Sequence, residues 1–518
     1  MAEYAVPGIV GCVPTRTSLP TGPGAAITAA HATVDKKRCQ ATGATFLEKD
    51  CNTWHNVKCH GKEINNVLIV NISTCETACS SSVRANIFTC VTMRCEIKVY
   101  KKRWLILTLF VVYSASNAMQ WIEYSIITNI VAKYYNVSDY VVDMTSMIYM
   151  ITYIPLIFPA SYLLDNFGLR WTVIVGAFGT AIGSWLKVFS VAPDRFWITF
   201  CGQTVVAISQ TCILSIPARL AAVWFGDNEV SRACGIGVFG NQLGIAIGFL
   251  FPPMLVPNKD ACEIERGLQC MFYIVAAITS VVLILILIFF KSAPPLPPSS
   301  AQVVQREKSE SNKDVKKFFN SLARLCSNRG YLLLLISYGI NVGIFYAIST
   351  LLNRLVTKEY PNSEEDAGRI GLTIVCAGMV GSIVCGILLD KTHKFWLTTV
   401  GVYVCSLVGM IIFTFTLDVK IYVVYITAGI LGFFMTGYLP VGFELAAELT
   451  FPEPEGTSTG LLNAVVQLFG IAFTPLYRYL LNIWEDFWAN IALCCILAVG
   501  VLLTTFIPND LRRQKAKA

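Results

Sequence analysis

Charge is scarce in this sequence. Only 14% of its 518 residues are Asp, Glu, Lys or Arg, where soluble domains carry about a quarter. With 55% of residues hydrophobic, so little charge excludes a watery surface for most of the chain. Histidine is rarer still, with four in all and none inside the apolar runs, and no nucleophile or metal set can be assembled from what those runs contain. An enzyme is therefore not expected, nor is a resident metal or cofactor. The first 95 residues lack both a long apolar span and a clean signal peptide, and the region 1–97 reads as mostly disordered and cytosolic. A basic face on a soluble domain is missing too, so the net charge of +7 speaks for flanks facing an anionic lipid leaflet, not for a nucleic-acid partner.

What the sequence does have is apolar runs of about 20 residues, the length that crosses about 30 Å of hydrocarbon as a helix. From residue 104 they number twelve: 104–132, 141–164, 172–193, 196–224, 233–256, 270–290, 331–356, 369–390, 396–417, 420–447, 458–482 and 486–507. The expected fold is an all-α membrane protein, with the bilayer as its solvent. Lys98, Lys101, Lys102 and Arg103 precede the first run, and Arg512, Arg513, Lys515 and Lys517 follow the last. Basic flanks stay on the cytosolic side, so both termini are placed there. The polar connection 291–329, with Arg306, Lys308, Lys313, Lys316, Lys317 and Arg324, falls on the same side. Residues 98–290 and 330–508 then form two six-helix bundles, and 509–518 a basic cytosolic tail.

Of the 19 cysteines, eight precede residue 100, and most others fall inside spans as small apolar packing residues. Cys262 and Cys270 are assigned to the non-cytosolic connection between the fifth and sixth runs, where a disulfide is expected to be permitted. Cys51, His55, Cys59 and His60 have ligand chemistry in a spacing that fits no zinc module, so no metal site is assigned. Asn71-Ile72-Ser73 falls on the cytosolic side and should stay unmodified. Asn136-Val137-Ser138 falls in the first external loop, as a glycosylation acceptor.

The two sets of six runs repeat each other. Leu-Leu-Asp165 recurs as Leu-Leu-Asp390 at an offset of 225, and Gly244-Ile245-Ala246 as Gly470-Ile471-Ala472 at 226. Phe225-Gly226 with Glu229 recurs as Phe451-Pro452 with Glu455, again at 226. Several matches at one offset describe two halves related by an axis along the membrane normal, the parallel repeat of major facilitator transporters. Asp165-Asn166-Phe167-Gly168-Leu169-Arg170 resembles that superfamily's D-x-x-G-x-R loop. There Gly168 permits a tight turn, while Asp165 and Arg170 form charge pairs in one conformation and release them in another. In the second half the pattern decays to Asp390-Lys391-Thr392-His393-Lys394.

Charges noted within the runs are Glu123, Arg219, Glu444 and Glu448. The last three lie near the cytosolic ends, as snorkelling or gating residues. No ladder of carboxylates relays protons, which favours uniport. Aromatics stand beside amides instead: Asn117, Gln120, Trp121 and Tyr124 in span one, and Asn341, Phe345 and Tyr346 in span seven. Trp121 and Tyr346 are 225 apart, the repeat offset, so they are expected to face each other across a central cavity. Two electron-rich rings suit an onium cation, and Gln210 and Gln467 would bond a hydroxyl or amine. The plainer alternative is that the rings pack and the amides bond neighbouring helices.

Five longer strings carry a closer likeness. They are Met119-Gln120-Trp121-Ile122-Glu123-Tyr124-Ser125, Ala222-Val223-Trp224-Phe225-Gly226, Gly240-Asn241-Gln242-Leu243-Gly244, Gly432-Phe433-Phe434-Met435-Thr436-Gly437-Tyr438-Leu439-Pro440 and Glu455-Gly456-Thr457-Ser458. Over about residues 98–514 the chain resembles the feline leukaemia virus subgroup C receptor family of the major facilitator superfamily. That resemblance implies a plasma-membrane carrier of choline and ethanolamine, with haem as an alternative cargo; a monomer is expected. It also implies that Trp121 and Tyr346 cage the quaternary ammonium while Gln210 and Gln467 contact the hydroxyl end. Residues 1–95 depart from the family's tails. His31, His55 and His60 are available as axial haem ligands, but the spans offer haem no His. A receptor without transport is the remaining alternative.

Overall fold

The computed structural model describes residues 98–508, apart from 215, 227–228, 299–301, 303–322, 393, 452 and 454, and ahead of them the backbone of four short strands. Among the described residues, twelve helices are long and apolar enough to cross a membrane, and every described element from residue 98 onward is helical. The spans are Lys102–Tyr135, Asp139–Ile157, Phe167–Val188, Phe196–Leu214, Arg232–Leu255 and Ala261–Phe289 in the first half. In the second half they are Arg329–Glu359, Glu364–Leu389, Phe395–Thr416, Ile421–Thr450, Thr457–Ile483 and Asp486–Thr505. The terminal side is defined here by the start of span one and the end of span twelve, and the distal side is opposite.

The strands are β1 (Cys12–Pro14), β2 (Lys58–Ile64), β3 (Val67–Ser73) and β4 (Met93–Glu96), in the antiparallel order β1-β4-β3-β2. β2 and β3 form a hairpin in which Ile64 opposes Val67 across a two-residue connection, as the β-branched residues Val67, Ile69 and Val70 favour. Most of the region expected to be disordered lies outside the described residues, as do the side chains of Cys51, His55, Cys59 and His60. These strands group with segments 221–230 and 293–313 in one compact unit, and residues 104–220, 231–292 and 314–518 make up the other. Within the first unit Arg103 pairs with Glu229 at 2.9 Å, and its guanidinium stands 5.5 Å from the Phe225 ring centroid.

In the helical unit, close packing between spans one and five rests on a ladder of glycines one turn apart. A Cβ at Gly240 would stand 3.0 Å from Val111, one at Gly244 2.7 Å from the Ala115 Cα, and one at Gly248 2.5 Å from the Met119 carbonyl. In lipid, where apolar burial gives helices little reason to associate, such approach of backbones supplies the packing. Gly244→Leu is expected to force these two spans apart; a lower melting temperature and less monodisperse protein on size-exclusion chromatography are the readouts.

Span six starts nine residues earlier than its hydropathy indicates. Cys262 and Cys270 therefore lie on one helix, Ala261–Phe289, about 12 Å apart along its axis at 1.5 Å per residue. Both thiols are free. A disulfide needs Cα atoms within about 7 Å, so the expected bridge between Cys262 and Cys270 is corrected to two separate cysteines.

Candidate functional site

Span one is interrupted where its sequence is most distinctive. The first helix runs Lys102–Ile122, a short 3₁₀ turn covers Ser125–Ile127, and a second helix runs Thr128–Tyr135. Trp121 therefore occupies the last helical turn before the break. The β-branched run Ile126-Ile127-Thr128 weakens helix here, and the Thr128 hydroxyl donates to the Ser125 carbonyl at 2.8 Å. Its repeat partner, span seven, passes through Tyr346 as one helix, Arg329–Glu359.

Trp121 and Tyr346 meet at the seam between the halves, with ring centroids 5.4 Å apart and planes inclined at 63°. They touch edge to face, where the repeat alone had suggested rings facing across a cavity. Trp121 is buried and Tyr346 half-buried. The Gln467 side chain on span eleven lies beside the Tyr346 hydroxyl. Gly470, one turn on, lets span eleven approach both halves at once: a Cβ there would stand 2.7 Å from Met150 Sδ and 3.2 Å from the Tyr346 ring. Three of the four proposed substrate contacts thus converge. Gln210 lies half-buried on span four, and no described contact ties it to the other three. Asn117 and Gln120 turn away from the seam. Asn117 donates to the Thr180 hydroxyl and the Val206 carbonyl, and Gln120 accepts from the Ser184 hydroxyl.

The distal side of the seam is closed by polar contacts between the halves. Glu364, at the start of span eight, accepts from Asn129 at 2.7 Å and from Asn258 at 2.8 Å. Arg478 of span eleven pairs with Asp143 of span two and lies 3.8 Å from Asp139. Asn353 of span seven donates at 2.7 Å to the Ile126 carbonyl, an oxygen that the break in span one leaves free. The contacts of Glu364 and Arg478 are charge-assisted, the stronger class. Hydropathy places Glu364 in an acidic loop and gives no hint of its partners, which come from two other segments.

At the terminal side, Gly168 turns the connection between spans two and three with φ +78°, the left-handed conformation that glycine adopts without strain. Arg170 is exposed and donates to the Leu287 carbonyl of span six at 3.3 Å. The side chains of Asp165 and Asp390 lie outside the described residues, so the proposed charge pairing there is not described. Glu448 is buried and Glu444 exposed on span ten. Two buried cations escaped the sequence reading altogether: Lys187 in span three, paired with Glu123, and Arg478. Both lie within a few residues of a span end, where a Lys or Arg reads as a snorkelling side chain.

Twelve helices in two repeated halves, with a compact aromatic and amide cluster at their seam, define a solute carrier of the major facilitator kind. The Major Facilitator Superfamily model matches residues 106–475. The chain is 52% identical over 421 residues to the choline/ethanolamine transporter flvcr2a of Danio rerio, covering 81% of this chain and 89% of that protein. It is 49% identical over 422 residues to FLVCR2 of Homo sapiens, covering 81% and 80%. With FLVCR1 of Felis catus it is 48% identical over 420 residues, covering 80% and 74%. Among solved structures, the fucose:proton symporter of E. coli superposes with TM-score 0.55 at 16% identity, covering 79% of this chain and 98% of that one. An inward-facing bacterial homologue of the lysosomal transporter Spinster gives 0.57 at 15%, covering 79% and 95%. The chain belongs to the feline leukaemia virus subgroup C receptor family of the major facilitator superfamily.

Proposed function

We propose that this protein carries choline and ethanolamine across the plasma membrane by facilitated uniport, the two halves rocking about one site at their seam. The observation that carries the reading is the meeting of Trp121 and Tyr346 at 5.4 Å, beside Gln467, at positions the repeat relates. An aromatic pair binds a permanent cation without a buried carboxylate, and an amide recognises the hydroxyl end. The three named relatives are choline/ethanolamine transporters, which supports the same cargo here. The test is uptake of radiolabelled choline into proteoliposomes holding the purified chain. Saturable, choline-competed uptake supports the proposal; uptake equal to protein-free vesicles sinks it.

Haem is the alternative cargo. It would bring carboxylates and a planar iron chelate to a seam whose described partners are aromatic rings and amides, with no histidine among the twelve spans. Haem efflux from loaded vesicles, compared with and without the chain, separates the two cargoes. The reading places both termini in the cytosol, from the basic flanks, and Gly168 and Arg170 at the terminal-side gate. The contacts at Glu364 and Arg478 are then the external gate, closed in this conformation. A monomer suffices, because each chain carries both halves of its site. Asn136 is exposed, with φ +52°, in a three-residue connection on the distal side, and is read as a glycosylation acceptor. Asn136→Gln is expected to abolish the glycosidase-sensitive shift in electrophoretic mobility of the protein from eukaryotic cells.

A further inference from the structure

The most costly feature of the first half lies outside the site. Glu123 and Lys187 form an ion pair with side chains 2% exposed. The Lys187 ammonium also donates to Gln203 Oε1 at 2.8 Å, and Gln203 Nε2 donates to the Gln120 carbonyl at 2.5 Å. The same ammonium stands 5.5 Å from the Tyr124 ring centroid. Ionisable groups buried at this depth are expensive, and well-packed apolar residues commonly replace such a pair without loss of stability. Stability alone is therefore a poor account of it.

The second half supplies an internal control. At the repeat offset of 225, Glu123 corresponds to Ile348 and Gln203 to Ala428. Gly183 and Gly409 are 226 apart, which aligns Lys187 with Phe413, and the neighbouring offset gives Ile412. All are apolar, so the fold does not require charge at this place. Span seven is also unbroken where span one is interrupted. Charge pair and break occur together, in one half only. Glu123 is the first residue beyond the helix that ends at Ile122, two residues from Trp121. On the other side of the break are the Ile126 carbonyl and Asn129, both bonded to the second half at the distal gate.

We propose that Lys187, through Glu123 and Gln203, is the positioning residue that fixes the interrupted turn of span one, holding Trp121 in register with Tyr346 and tying that register to the distal gate. The proposal rests on Trp121 as a substrate contact. It assigns a second role to the pair as well: with Lys187 opposite it, the Glu123 carboxylate is compensated internally and the cargo meets rings, not a competing anion.

The test compares four purified proteins in proteoliposomes: wild type, Lys187→Met, Glu123→Gln, and the double variant Glu123→Gln/Lys187→Met. Choline KM, maximal rate and melting temperature are measured for each. Either single change should raise KM on the order of tenfold, the scale on which small displacements of a binding group act. The double variant, with no unpaired buried charge but also no pair to fix the turn, should recover melting temperature while its KM stays raised. If Lys187→Met does not reach the membrane, Glu123→Gln carries the comparison by itself. A single variant with wild-type KM overturns the proposal. So does a fall confined to protein amount or melting temperature with KM unchanged, or a double variant whose KM returns to that of wild type. A wild type that does not take up choline would instead sink the cargo assignment, and is read separately from the variants.

Discussion

Trp121→Ala should lower choline transport by about thirtyfold at unchanged surface density. A desolvated cation over an aromatic face is worth about 2 kcal/mol, and each 1.4 kcal/mol is a factor of about ten. The indole is buried and pinned: its edge-to-face contact with Tyr346 and the glycine ladder of span five behind its helix fix where the ring stands. Alanine removes the ring and leaves the helix intact, because residue 121 lies inside the last regular turn. Tyr346→Ala should cost more than the cation contact alone, since it also removes the hydroxyl beside Gln467. Trp121→Phe keeps a weaker face and should retain part of the transport. The measurement is concentration-dependent uptake normalised to surface protein. Wild-type KM in both alanine variants would show that these rings pack and do not bind.

How far this arrangement was legible beforehand depends on what hydropathy measures. It reports the part of a helix that sits in hydrocarbon, so all twelve spans were visible. The start of span six was not, because Glu263, Glu265 and Arg266 lie on helical turns ahead of the apolar stretch. That one shift undid the expected disulfide. The break in span one was hidden for the opposite reason: Ile126 and Ile127 keep the run apolar across a turn that is not α-helical. The pairing of Trp121 with Tyr346 was legible because internal repetition is a statement about three dimensions as well as sequence. Gln467 and Gln210 were named together for their amide chemistry and only Gln467 stands at the seam, whereas Asn117 and Gln120 carried the same chemistry and point into the bundle. Nothing in a single sequence distinguishes those cases, since one turn of a helix presents every direction. Lys187 and Arg478 were missed because their partners, Glu123 and Asp143, are 64 and 335 residues away in sequence.

Arg478 is where the largest conformational effect is expected. Its guanidinium, 8% exposed, faces the Asp143 carboxylate, 2% exposed, across the boundary between halves. In the closed arrangement each charge depends on the other, and deleting one partner of such a pair leaves an uncompensated ion costing about 3–5 kcal/mol. With the distal side open both groups would be hydrated, so the deletion costs little there. Arg478→Ala should therefore favour the distal-open state by a factor of about a hundred or more, and slow turnover because the return to the closed state is penalised. Glu364, with its two amide donors, and Asn353 still hold the gate, so the variant should fold. Ser125, buried beside the break, offers the readout. In a background without reactive cysteines, Ser125→Cys should be labelled by a membrane-impermeant thiol reagent much faster once Arg478 is alanine. The exchanged pair Asp143→Arg/Arg478→Asp should slow that labelling again. Equal labelling with and without Arg478 would mean that this ion pair does not hold the distal side shut.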